Sequence, residues 1–563
     1  MLVLLFCLFL SCILFYTYGV YFISIFNSEM NRYSFFDSFF IGFCFIGTIL
    51  NLWSIFLPTN IFSILFLMLF GIYIYYKQKK FLNLKVKKFF RKIKENKLIS
   101  LLILAIILIQ LLYSVGIPKN YDSYLYHINS IQWNEKFSVV PGLANLHDRF
   151  GFNSSQFVLS AAFSFNELYN QYIFTTNSLC FLIFFIWILL YSFHKKNLFG
   201  LIALLFGYYF FYQYHTDLSS PSTDLIPNLL FGFLMLKLIF NSDSINNKRL
   251  LFIVLSFFII TFKISLLPIV IIGLISIYLH KQNFPFFIKK TFLFGIIFIL
   301  PWIIRNVILT GYVIYPLSSL DVFNFDWEVS KESVVDIQKW IYSWARIPFK
   351  NHNEVLSLSF FDWFSVWWQN CLMRNKIIFI ISLFSPIIFT FYFFTNKKQK
   401  KLHISITFII CYVTLLIWLF TAPDIRFSFS ALLILCAFPL ILLNKYIYRF
   451  TKVIKISIIL FSLFFLYEFL TIGNNLFLSE FKNYKKIENY YYLPSDVYYV
   501  KYKRKIEYNQ LEYKTPEGLK INLFEPKNRY TQCFDKFPCS WYLDNTIKLR
   551  GEDLSDGFKN DKN

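Results

Sequence analysis

The sequence predicts an all-α polytopic membrane protein of about 12–14 transmembrane helices with a small C-terminal domain of mixed or β character. Three observations carry this. Of 563 residues 57% are hydrophobic and only 15% charged, at a mean hydropathy of +0.53, far from the balance of a soluble chain. Apolar runs able to cross a hydrocarbon core of about 30 Å recur along the chain. Short lysine-rich segments separate them, the pattern of cytoplasmic loops.

Taken in order, hydropathy places helices near 1–26, 36–57, 60–76 and 98–116, followed by 171–193, 198–214 and 225–241. A short pair at 250–262 and 264–279 precedes 291–308, 376–395, 404–420, 427–443 and 454–473. The basic segments 77–97, His194-Lys195-Lys196, Asn246-Asn247-Lys248-Arg249, His280-Lys281 with Lys289-Lys290, 396–401 and 445–455 all fall on one side under this assignment. That distribution accounts for the formal net charge of +23 without nucleic acid as a partner. The first apolar run starts at Met1 without a basic leader or a small-residue cleavage site, as a retained helix does.

Three regions follow: N-terminal helices with a basic cytoplasmic loop over 1–97, a membrane core over 98–473, and an extracytoplasmic tail over 474–563. On the face opposite the lysines lie two long loops, 117–170 and 309–375, and the short turns at 215–224 and 421–427. A weak apolar patch at 157–165 is too short to span and reads as a helix in the interface or packed on the bundle. The second long loop is rich in tryptophan, either an interfacial belt or a surface for stacking on sugar rings. Seven of nine cysteines scatter through apolar runs, whereas Cys533 and Cys539 lie close together in the tail, where a disulfide loop is favoured outside the cytoplasm.

Polar chemistry concentrates in loop 117–170. Asp122, just past helix 98–116, belongs at the membrane boundary, where desolvation raises the value of a carboxylate as a base; a helix cap is its plain alternative. His127, five residues on, is compatible with the same side of a loosely helical turn, flanked by Tyr121 and Tyr126. Asn145, His147, Arg149, Asn153 and Ser154, spaced by Pro141, Gly142 and Gly151, suit a polar or anionic ligand or a self-satisfied loop. Lys263 interrupts the apolar stretch 250–279 and must snorkel or meet an anion. Arg305 near the end of helix 291–308, Asp424 with Arg426 in a short turn, and His215, Asp217 and Asp224 in another complete the candidates.

These residues carry a resemblance. The acid just after a transmembrane helix, the Pro301-Trp302-Ile303-Ile304-Arg305-Asn306 run ending in Thr310-Gly311-Tyr312-Val313-Ile314-Tyr315-Pro316, and the Ala422-Pro423-Asp424-Ile425-Arg426-Phe427 turn together look like the GT-C class of integral-membrane glycosyltransferases. The stretch 121–158 resembles an uncharacterised family of large bacterial multi-pass membrane proteins that is similar to that class. The resemblance implies a polyprenyl-phosphate sugar donor, a glycan, glycolipid or protein acceptor, and a bacterial cytoplasmic membrane with the active face and tail outside. It gives Asp122 the role of general base beside His127, and Lys263 and Arg305 the task of neutralising the donor phosphate. Substrate contacts fall to Tyr121, Tyr126, Asn145, His147, Arg149, Asn153, Asp424 and Arg426. Many members carry two close acids in the first outer loop; here Ser123 follows Asp122, and the next acids are Glu135 and Asp148. No compact carboxylate cluster marks a metal site, so a divalent cation, Mg or Mn, is not firmly implied. A flippase for a lipid-linked glycan, or an inactive envelope-assembly scaffold, is the competing class.

Overall fold

In a computed structural model the described residues are 2–26, 29–241, 244–281, 283–395, 402–447, 451–481, 508–514, 520–526, 537–540 and 547–560. Each of the expected apolar segments is helical, but the described residues hold nine helices long and apolar enough to span a membrane, or ten if one bent pair counts as a span. The shortfall against 12–14 lies in four shorter helical segments, Leu198–Tyr214, Leu225–Phe240, Arg249–Ile259 and Ile264–Leu279. Leu225–Phe240 and Arg249–Ile259 are apolar on every side and sheathed by neighbours, so protein packing rather than bilayer thickness sets their length. The bent pair, Phe284–Phe298 and Leu300–Thr310, turns by 48° at Ile299, two residues before Pro301 in the first turn of the second helix.

Segment 77–97 departs from the expected loop. Helix Ile61–Lys94 continues through it, because lysine, leucine and arginine are good helix formers and the run holds no glycine or proline. It ends where the Asn96 side chain caps the next helix, Lys97–Val115, by accepting from the backbone N–H groups of Leu98 and Ile99. The basic loop 396–401 lies outside the described residues.

The N-terminal hairpin is built on backbone contact. Where Leu2–Ile25 crosses Phe35–Phe56, a Cβ on Gly19 would stand 1.7 Å from the Ser38 carbonyl oxygen, and one on Gly42 1.7 Å from that of Phe15. Only glycine permits that approach, the small-residue packing of apolar bundles. The same hairpin is tied to the interior helices by the buried Asp37, which receives Lys237 at 2.5 Å and Lys248 at 2.7 Å while closing a capping box with Ser34.

Loop 117–170 folds into a second core with the tail. The apolar patch near 157–165 forms Ser155–Ala162, packed on the bundle with Phe157, Val158 and Leu159 buried. Loop residues Tyr124, Ile128, Trp133, Leu143 and Phe150 share a cluster with Ile547, Leu549 and Phe558. The last three come from an antiparallel pair, Ile547–Leu549 with Phe558–Asn560, and a second hairpin joins Tyr508–Lys514 to Lys520–Pro526. Gly142, at φ +62°, makes the join possible, since a Cβ there would fall 2.1 Å from the Phe558 carbonyl oxygen. Arg550 clasps Asp326 with contacts of 2.8 and 3.1 Å. Cys539 is disulfide-bonded and the seven scattered cysteines are free; Cys533 lies outside the described residues.

Candidate functional site

Four separate segments deliver charge to one place. After Lys97–Val115 the chain turns at Asn120, whose side-chain oxygen accepts the Asp122 N–H at 2.9 Å. Residues Ser123–His127 then form a π turn, closed by the Ile128 N–H on the Ser123 carbonyl, so Asp122 and His127 stand about one wide turn apart. From the far side of the loop Arg149 reaches Asp122 at 3.5 Å. Asp424 and Arg426 arrive at the start of helix Ile425–Ile447. Asp224 precedes Leu225–Phe240, and Lys263 sits in the break after Arg249–Ile259.

Arg426 is the hub. Its guanidinium meets Asp122 at 3.1 Å, Asp424 at 3.0 Å and Asp224 at 3.6 Å, while its backbone carbonyl accepts from Tyr214 at 2.8 Å and Asn228 at 3.1 Å. Lys263 bonds Asp224 and lies 3.5 Å above the centroid of the Phe427 ring. Three carboxylates and three cations thus form one chain of ion pairs, closed in charge and mostly shielded from solvent. Arg149 extends it sideways, its guanidinium 5.4 Å from the Tyr126 ring and 5.5 Å from that of Trp340.

The electrostatics differ from the expectation for Asp122. Burial does push its carboxyl upward, but Arg426, His127 and Arg149, with the hydrogen bond from Arg426, hold it below the usual carboxylate range. Asp122 is therefore a firmly ionised, weakly basic carboxylate. Burial pushes His127 down to about 4 despite Asp122 and Asp224, so the ring is neutral near pH 7. Neither ring nitrogen of this buried histidine has a hydrogen-bond partner among the described residues. One of the two is consequently an open acceptor for a proton. Asp217, joined to the turn by Asn120 at 2.8 Å, is pushed up to about 7, chiefly by burial.

The other candidates separate. Tyr126 packs under Arg149, and Tyr121 is 57% exposed at the rim. Asn145 gives its amide to the carbonyls of Trp327 at 2.9 Å and Phe558 at 3.3 Å. His147 accepts the Arg149 N–H at 3.1 Å and contacts Asp148 at 2.9 Å, which shapes the turn. Asn153 donates to the Trp302 carbonyl at 2.8 Å and accepts from Arg305 at 3.1 Å. Of the 145–154 stretch, Arg149 is the side chain that reaches Asp122. Arg305 is spent elsewhere, on Asn153, Ser54 and Asn134, and none of these bonds joins it to the Asp122 network.

The tryptophans also divide. Trp363 and Trp367 are buried, the latter donating to the Pro423 carbonyl at 2.9 Å, so they brace the Asp424 turn rather than form a belt. Trp340 and Trp344 stack on each other at 5.0 Å beside Arg149. Asn120 and Tyr214 are partners that spacing in sequence could not reveal, and so is the pairing of Asp224 with Lys263 and Arg426. A lone acid at the head of an apolar helix was the available signal for Asp224.

A divalent cation finds no place in this arrangement. Among the described residues no group of three or more His, Cys, Asp or Glu side chains could hold one, and Asp122, Asp224 and Asp424 each already face Arg426.

Residues 1–433 match the family described as a domain of unknown function (DUF8201). The chain belongs to that family. The match takes in every residue of the charge network, while the last candidate span, Thr451–Gly473, and the tail lie beyond it. No curated protein and no solved structure matches the chain.

Proposed function

We propose that this protein is a membrane glycosyltransferase that moves a sugar from a polyprenyl-phosphate donor to an acceptor hydroxyl on the extracytoplasmic side of a bacterial cytoplasmic membrane. The observation that carries the reading is the convergence of Asp122, Arg149, Asp224, Lys263, Asp424 and Arg426 from separate helix ends. Such a cluster is costly to bury and is kept where charge must be handled. Arg149 and Arg426, with side chains 15% and 29% exposed, can receive a phosphate on their open sides.

In the proposed step the acceptor oxygen bonds to the anomeric carbon as the bond from that carbon to the phosphate oxygen breaks. The phosphate leaves with the electron pair, and the arginines and Lys263 offset its growing charge. Asp122 orients the hydroxyl and takes its proton late, when the oxygen has become acidic; weak basicity suits a late transfer, and the neutral His127 is the next acceptor. On this reading the second acid would be Asp224, which shares Arg426 with Asp122, rather than the residue after Asp122.

A second reading, a flippase for a lipid-linked glycan, is favoured by the 48° break between Phe284–Phe298 and Leu300–Thr310. The two part on one variant. Asp122→Asn should express and insert normally yet lose a surface glycan, with the lipid-linked donor accumulating. Normal glycans in that variant would remove Asp122 from the chemistry, and translocation without bond formation in proteoliposomes would favour the flippase.

A further inference from the structure

A small pocket under loop 117–170 stands apart from the charge network. Its walls include Ser130, Trp133, Asn134, Phe157 and Leu309, with Arg305 at its base. Arg305 is 3% exposed, and its bonds go to neutral oxygens: Asn153 at 3.1 Å, Ser54 at 2.5 Å and Asn134 at 3.0 Å. No carboxylate lies within ion-pair distance of it among the described residues. A guanidinium does not shed its proton, has five N–H donors, and is costly to bury without a counter-charge. Two further donors line the same pocket. The Trp133 indole N–H and the Ser130 hydroxyl, in residues 2% and 5% exposed, have no hydrogen-bond partner among the described residues. Unpaired buried donors in a native structure call for an acceptor.

The geometry points to an oxyanion site: Arg305 supplies the charge, and the Trp133 N–H and Ser130 O–H supply hydrogen bonds, to a phosphate or carboxylate group lodged beneath the loop. One cation with two neutral donors, among Val139, Val140, Leu143 and Phe150, fits a group with several acceptor oxygens and one or two negative charges. It does not fit a metal or a cation. The aromatic side chains Phe152 and Phe157 separate this pocket from Tyr126 and His127, whose rings they touch. Occupancy would brace the wall behind His127 without contact with Asp122. The inference stands independently of the glycosyltransferase reading.

The test uses the full-length protein in detergent, with thermal unfolding followed against inorganic phosphate, acetate and dodecyl phosphate at fixed ionic strength. A ligand that binds the native state raises the melting midpoint in a saturable way. Wild type should respond to at least one probe. Trp133→Phe, Ser130→Ala and Arg305→Lys should each weaken the apparent affinity by about tenfold or more. Tighter response to dodecyl phosphate than to inorganic phosphate would identify a lipid headgroup; equal response would identify a free anion. No saturable response in wild type, or an undiminished response in the three pocket variants, overturns the site. A response that the three pocket variants keep and Arg149→Gln loses would place the anion in the charge network and overturn it equally.

Discussion

Replacing Arg426 with glutamine removes the one cation that touches three carboxylates. With Asp122, Asp424 and Asp224 at 3.1, 3.0 and 3.6 Å, each contact is worth about 5 kcal/mol at an effective dielectric of about 20, before desolvation is counted. The desolvation that Arg426 no longer undergoes offsets much of that sum, so the expected net loss is about 3–5 kcal/mol, the cost of breaking a buried pair from one side. Thermal unfolding of the purified protein should show the midpoint fall by several degrees. The origin is testable by a second change. Arg426→Gln with Asp424→Asn leaves Asp122 opposite Arg149 and Asp224 opposite Lys263, so charge is balanced again and most of the loss should return. If the single variant melts with wild type, or the double variant melts no higher than the single, the ion-pair network is not what holds these helix ends together.

Other outcomes follow from the same contacts. Asp217 is raised to about 7 by burial, and a raised acid gives stability that is complete below its unfolded value near 4 and fades as pH rises through about 7. Asp217→Asn should therefore flatten the decline in melting midpoint between about pH 4 and pH 7, a difference of about 4 kcal/mol at most. His127 has the opposite sign: lowered to about 4, it favours the fold above its unfolded value near 6.5 and loses that contribution as pH falls through about 4, so His127→Phe should melt closer to wild type at acid pH than at neutral pH. Gly142→Ala should loosen the tail from the loop, because its Cβ would collide with the Phe558 carbonyl at a positive φ; faster proteolysis of the tail with an intact membrane body is the expected pattern. Gly42→Leu should prevent the N-terminal hairpin from closing and reduce the yield of folded protein, read by size-exclusion chromatography.

Hydropathy exposed the helical framework, since apolar runs in a bundle have few alternatives to helix. It misjudged length where neighbours, not lipid, surround a helix, as at Leu225–Phe240, and where lysine-rich sequence continues a helix, as at 77–94. At the site, Asp122, Arg149, Lys263, Asp424 and Arg426 were legible as polar residues at helix ends. Their pairing was not, because Asp122 and Arg426 are 304 residues apart and only the packed helices bring them together. For the same reason the pairing of Asp224 with Lys263 was not legible, the two being 39 residues apart. The basicity expected of Asp122 followed from burial alone. The guanidinium groups that reverse the shift come from distant segments. Asn145, His147 and Asn153 looked like ligand groups in sequence; in the fold Asn145 and Asn153 tie the loop to distant segments and His147 shapes its own turn.

The most direct measurement of the proposed activity is the surface glycan profile of cells that carry wild type, a deletion, or Asp122→Asn, taken alongside the protein level and melting midpoint of the variant. The glycosyltransferase reading predicts the same missing glycan in the deletion and in Asp122→Asn, with the variant still inserted and folded although loss of its pairs to Arg426 and Arg149 lowers the melting midpoint. A wild-type glycan profile from a folded Asp122→Asn protein would contradict it.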